Sequence, residues 1–161
     1  MGKERQHHAI VIGGSLGGLL AAHQLRALGW KVDVYERAQE DLADRGAGIG
    51  THPALFTALH RVGLTFDTGE CTVPRSYLCL DHDNRLIHHR PARRTMTAWS
   101  RIYRPLKDHI PAADYHYGMR LERAETVDGR AVATFADGTV READLLVGAD
   151  GFRSSVRRSV L

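Results

Sequence analysis

The sequence predicts an α/β fold, in which a parallel βαβ unit precedes an antiparallel meander and one further buried strand. Three observations carry this reading. Residues 8–12 (HAIVI) form a short, nearly continuous apolar run that passes directly into glycines, the pattern of a strand covered on both faces. Residues 31–36 (KVDVYE) alternate and end on an acid. Downstream, two Asp-Gly pairs separate three alternating segments, and glycine there accepts the positive φ that a tight hairpin turn requires.

The elements follow in order. Leu16, Leu19, Leu20, Ala22, Leu25 and Leu28 recur at helical spacing, and Gly29 closes that helix. Strand, helix and second strand then make a right-handed crossover with parallel strands. Residues 37–50 are polar and glycine-rich, hence a loop. Residues 53–62 read as a short helix with Pro53 in its first turn. Residues 76–80 and 85–88 flank Asp81-His82-Asp83-Asn84 as a hairpin. Ile102, Leu106 and Ile110 lie four apart in a helix over 99–110, with a kink expected at Pro105. The meander takes in 121–126, 131–135 and 139–143, turning at Asp128-Gly129 and Asp137-Gly138. Residues 145–149 (LLVGA) are the next buried strand. Residues 154–161 open a helix that stops without a capping signal, so the chain reads as cut there.

Composition narrows the function classes. The chain has 161 residues, 43% of them hydrophobic, which suits one folded domain. No apolar run approaches the roughly 18 residues of a membrane span, and MGKERQHHAI lacks the form of a secretory signal. Cys71 and Cys79 have no CxxC spacing, so reduced, cytoplasmic thiols are expected. The net charge of +3 comes from basic residues interleaved with acids. The densest cluster, His88-His89-Arg90 with Arg93-Arg94, lacks the aromatic residues that would stack on bases, which argues against nucleic acid. No histidine pair has a convincing helical ligand spacing, so no metal site is expected.

The chemistry concentrates at Gly13-Gly14-Ser15-Leu16-Gly17-Gly18, between the first strand and the first helix. Gly13 permits the strand-to-helix turn, small Ser15 lets backbone approach a pyrophosphate, and Gly18 lets the helix pack closely. The phosphates would then meet the helix N-terminus, where free N–H groups and the dipole favour an anion. Glu36, 23 residues after Gly13, is placed to accept ribose hydroxyls. An acid there favours FAD or NAD over a 2′-phosphorylated nucleotide. This is a Rossmann-type dinucleotide site, with Ser15 where the general fingerprint has glycine.

A second motif, Asp144-Leu145-Leu146-Val147-Gly148-Ala149-Asp150-Gly151 followed by Phe152-Arg153-Ser154-Ser155-Val156-Arg157, resembles the second fingerprint of the single-component FAD-dependent aromatic hydroxylases, the p-hydroxybenzoate hydroxylase family. GGSLGG, VDVYER, GAGIGTHP and WSRIY are similar to segments of its 2,6-dihydroxypyridine hydroxylase branch. The resemblance runs from about Ala9 to Arg158. It implies a glutathione-reductase-like FAD-binding domain over 1–70 and 93–161, with 71–92 a fragment of a β-rich substrate sheet. It implies FAD as cofactor and NAD(P)H as co-substrate, with Gly13, Ser15, Leu16 and Gly18 at the pyrophosphate turn and Glu36 and Arg37 at the adenosine ribose. Leu121 would lie by the adenine, Asp150 by the ribityl and pyrophosphate, and Arg45 and the loop containing Gly48 beside the flavin ring. His52 corresponds to a position facing flavin and substrate, or is simply a helix-start residue facing water; no catalytic residue is assigned beyond it.

The implied reaction hydroxylates an electron-rich aromatic or N-heteroaromatic ring with NAD(P)H and O2 through a flavin C4a-hydroperoxide. It needs no protein nucleophile or metal. Candidate partners are the small aromatic substrate, O2 and a second copy of the chain in a homodimer. The family's third fingerprint lies downstream of the second, so the chain reads as the N-terminal part of such an enzyme. Two alternatives stay open: a flavin oxidoreductase of the same fold that does not hydroxylate, and a non-catalytic nucleotide-binding module if 161 residues is the whole protein.

Overall fold

The computed structural model describes residues 5–45, 48–92 and 94–161; the Arg45 side chain, Gly46, Ala47 and Arg93 lie outside the described set. In chain order the elements are β1 (His8–Ile12), α1 (Leu16–Ala27), β2 (Lys31–Tyr35), β3 (Gly48–Gly50), α2 (Pro53–Arg61), β4 (Ser76–Leu80), β5 (Leu86–Pro91), β6 (Met96–Ala98), α3 (Trp99–Asp108), β7 (Tyr115–His116), β8 (Leu121–Val127), β9 (Arg130–Phe135), β10 (Val140–Ala143), β11 (Leu145–Gly148) and α4 (Ser155–Val160). The central sheet has the order β11-β1-β2-β7 and every pairing in it is parallel.

Alternation along β1 divides the core. Ala9 and Val11 join α1 and α3 on one face through Leu19, Ile102 and Leu106. Ile10 and Ile12 point to the other face, where Ala133 and Phe135 of the meander cover them. Burial on both faces is why the strand is apolar throughout, and each large side chain so buried contributes about 1.5–3 kcal/mol. The meander is a separate antiparallel sheet, β10-β9-β8. Its Asp128-Gly129 turn has positive φ at both residues (50° and 75°), as a type I′ hairpin turn demands.

Three short strands escaped the sequence pattern. The glycine-rich segment read as a loop contains β3, which pairs antiparallel with β6, and two-residue β7 forms the far edge of the parallel sheet. Strands this short show no detectable periodicity, and glycine in β3 masks what remained. Helix α3 continues through Pro105 to Asp108. Its Leu106 carbonyl, in the last turn, lies 2.8 Å from Nε2 of buried His23 on α1, which donates to it. Strands β4 and β5 pair with each other in a two-stranded sheet of their own.

Candidate functional site

The glycine turn follows β1 at the carboxyl edge of the parallel sheet. Gly13 has φ +107°, and a Cβ there would meet the Ala149 carbonyl oxygen at 2.4 Å. The residue therefore provides more than a turn: it lets the first glycine motif touch the second. A Cβ on Gly18 would lie 1.8 Å from the Gly13 carbonyl oxygen and 3.3 Å from Val11, so α1 packs onto the turn itself. Ser15 is the N-cap of α1 and its side chain makes no capping hydrogen bond.

Glu36 lies one residue past β2 and is buried. Its Oε2 accepts from Gly14 N at 2.8 Å and its Oε1 from Ala38 N at 2.9 Å. One bond remains available to each oxygen, since a carboxylate oxygen accepts about two. The backbone holds the residue from the other side, with Glu36 N donating to the His116 carbonyl and Met119 N to the Glu36 carbonyl, each at 2.8 Å.

A cavity of about 670 Å³ opens where these elements meet. Of the sequence-predicted residues, Gly13, Ser15, Glu36, Arg37, Leu121 and Asp150 line it. Leu16 instead packs against the helix-side core, and Gly18 lies beneath the turn. Gly48 sits in β3, where a Cβ would find only ordinary contact. His52 is exposed and caps α2, its Nδ1 accepting from Ala54 N at 3.2 Å. The Arg45 side chain and Gly46 lie outside the described residues.

Asp150 stands at the cavity and also organises the segment after β11. Its Oδ1 accepts from Ser154 Oγ at 2.5 Å, and its Oδ2 from Ser155 N at 2.6 Å and Val156 N at 3.3 Å. Burial opposes ionisation, but these donors outweigh it and hold the carboxyl below its usual range. Ser154 Oγ in turn accepts from Arg157 N at 2.9 Å as the N-cap of α4.

Sequence reasoning missed Tyr35, Arg120, Arg153 and Arg158, which also line the cavity, and Tyr115, which backs the glycine turn. Arg153 lies within the second motif and Arg158 directly follows it, so only their direction was hidden. Tyr115 gave no signal, because two-residue β7 has no pattern to carry it.

A family model described as FAD binding domain matches residues 6–161. The chain belongs to that family. The residues present fit the dinucleotide: a turn with no room for side chains at Gly13 and Gly18 and a buried carboxylate with acceptor capacity to spare face one cavity. This FAD-binding chain is 36% identical over 159 residues to 2,6-dihydroxypyridine 3-monooxygenase of Paenarthrobacter nicotinovorans, covering 94% of this chain and 38% of that one. Among solved structures it is similar to 2,6-dihydroxypyridine-3-hydroxylase from Arthrobacter nicotinovorans, with TM-score 0.83, 32% identity, and coverage of 98% and 40%. It is also similar to Klebsiella pneumoniae HpxO complexed with FAD and uric acid, with TM-score 0.74, 26% identity, and coverage of 94% and 41%. The chain thus spans about two-fifths of the relatives it matches. Among the described residues, no helix is long and apolar enough to cross a membrane.

Proposed function

We propose that this chain is the FAD-binding portion of a monooxygenase that hydroxylates an electron-rich aromatic or N-heteroaromatic ring, with NAD(P)H and O2 as co-substrates. The observation that carries the reading is the meeting of the two glycine motifs, Gly13 against Ala149, at one cavity shared by Glu36 and Asp150. Relatives named for dihydroxypyridine and a neighbour holding uric acid support a nitrogen heteroaromatic substrate.

In this reading the backbone of Gly13, Ser15 and Leu16 holds the pyrophosphate at the start of α1, and Gly18 keeps that helix close. Glu36 accepts ribose hydroxyls with its remaining lone pairs, and Arg37 contributes charge at the same end. Leu121 borders the adenine, and Asp150 anchors the segment beside the ribityl chain. Arg45, Gly48 and His52 fall to the flavin-ring side. Bound FAD supplies the redox and oxygen-activating chemistry, while the protein supplies position and electrostatics.

We assign residues 1–70 and 93–161 to the FAD-binding domain and 71–92 to the substrate-facing sheet. The support is that β4 and β5 pair with each other and every residue of β5 is exposed. The reading includes a cytoplasmic homodimer. Light scattering tests the dimer.

The test has two stages. FAD added to this chain should bind and change its fluorescence. In the gene's whole product, ¹⁸O₂ should place label in the hydroxyl of a ring substrate with matching NAD(P)H oxidation. Absence of FAD binding, or product without label, overturns the proposal.

A further inference from the structure

Gly14 is gripped on both sides of its own backbone. Its N–H donates to Glu36 Oε2 at 2.8 Å, and its carbonyl accepts from the Tyr115 hydroxyl at 3.1 Å. The fit is close enough that a Cβ on Gly14 would lie 2.0 Å from that hydroxyl oxygen and 3.0 Å from Cβ of Glu36. Tyr115 is itself fixed. It is buried, its backbone is part of β7, and the Lys107 ammonium sits 4.3 Å from its ring centroid, an attraction that holds the ring from the α3 side.

The consequence lies in the next peptide unit. The Gly14 carbonyl and the Ser15 N–H belong to one planar trans peptide, so they point in opposite directions. The Tyr115 hydroxyl draws the carbonyl inward, toward the core. Ser15 lines the cavity, and its N–H is the end of this peptide turned away from the Tyr115 hydroxyl. Burial first, then the Tyr103 hydroxyl and the charge of Glu36, push the Tyr115 phenol well above its ordinary range. The phenol therefore keeps its proton, and its role as donor, at neutral pH.

We propose that Tyr115 is a positioning residue for the cofactor: by holding the Gly14 carbonyl it aims the Ser15 N–H at the pyrophosphate. This rests on the FAD-binding reading. It adds a residue on strand β7, 101 positions from Gly14 in sequence, that touches no phosphate and acts through the peptide it orients.

The test is Tyr115→Phe in this chain, which removes one hydroxyl and keeps the ring. ADP and FAD are the probes, because ADP carries the ribose and pyrophosphate without the flavin. The dissociation constants of both should rise by about five-fold, the usual worth of one neutral hydrogen bond. In amide NMR, the Ser15 shift that ADP induces in the parent protein should shrink in the variant. A purely structural tyrosine would lower the melting temperature and leave both readouts unmoved, and that result overturns the proposal. Should Tyr115→Phe fail to fold, Lys107→Leu loosens the same ring from outside the cavity. It should raise the ADP dissociation constant about two-fold, and unchanged affinity overturns the proposal. If the parent protein binds neither probe, the FAD reading fails instead, before the role of Tyr115 is reached.

Discussion

Replacing Glu36 by Gln isolates what its second oxygen does. The carboxylate accepts from Gly14 N and Ala38 N at 2.8 and 2.9 Å while buried. Glutamine has nearly the same shape but only one acceptor oxygen, so its amide NH₂ must face one of these two N–H groups. One hydrogen bond to a charged acceptor is lost and one buried donor is left unpaired, a cost of about 1.5–3 kcal/mol. In a domain of this size each kcal/mol lowers the melting temperature by roughly 2–4 °C, so the apoprotein should melt roughly 3–12 °C lower. FAD should bind about ten-fold more weakly as well, because the same substitution puts donors where ribose hydroxyls need acceptors. Differential scanning fluorimetry and FAD fluorescence titration measure the two effects separately. A variant that melts with the parent protein would refute the reasoning, since the Gly14 and Ala38 bonds could not then carry this weight. A lower melting point with unchanged FAD affinity would confine Glu36 to holding the turn.

Other outcomes follow from the same geometry. Gly18→Ala should abolish stable folding, because its Cβ would lie 1.8 Å from the Gly13 carbonyl oxygen, whereas Gly17→Ala meets nothing within 4 Å and should stabilise α1 by up to about 1 kcal/mol; thermal melts compare the two. Burial, chiefly, lowers the pKa of His23 below its ordinary 6.5, so the unfolded chain takes up a proton that the folded chain resists. Stability from this group is complete above about pH 6.5 and declines as pH falls from there until the folded ring also protonates; His23→Gln should flatten urea-denaturation stability across that window. The Asp150 carboxyl, depressed by its three donors, contributes stability above about pH 3.8 that is lost as pH falls through its lower folded value. Asp150→Asn should therefore remove part of the acid limb of the stability profile, and a parent-like limb would count against the helix-anchoring bonds.

How much of this was legible depends on element length and on whether a residue serves its own neighbourhood. Residues 8–12 could be read because both faces are buried, and the spacing of Leu16, Leu19 and Ala22 could be read because α1 lies along one apolar face. Asp128-Gly129 and Asp137-Gly138 announced turns through a local backbone requirement. By contrast, β3, β6 and β7 are two or three residues long, and they form because tertiary neighbours offer partners. The Leu16 side chain packs against the core, which leaves only its backbone for the phosphate role its place in the motif suggests. His52 sits at the N-terminus of α2, and its ring nitrogen is committed to that cap.

The site follows the same division, and that decides what can be changed in it. Gly13, Ser15 and Gly18 were recognisable because the turn makes its demands within six residues. A further constraint, however, comes from Ala149, whose carbonyl fills the space where a Gly13 Cβ would stand. The fingerprint therefore encodes a long-range contact as much as a phosphate cradle. A glycine that served the phosphate alone would tolerate alanine whenever the ligand was absent. Gly13 would not, because the clash belongs to the protein's own backbone. Cofactor affinity and folding are thus written into the same positions. Arg37, Arg120 and Arg153 line the cavity and are exposed, so substituting them should alter the site with little effect on folding.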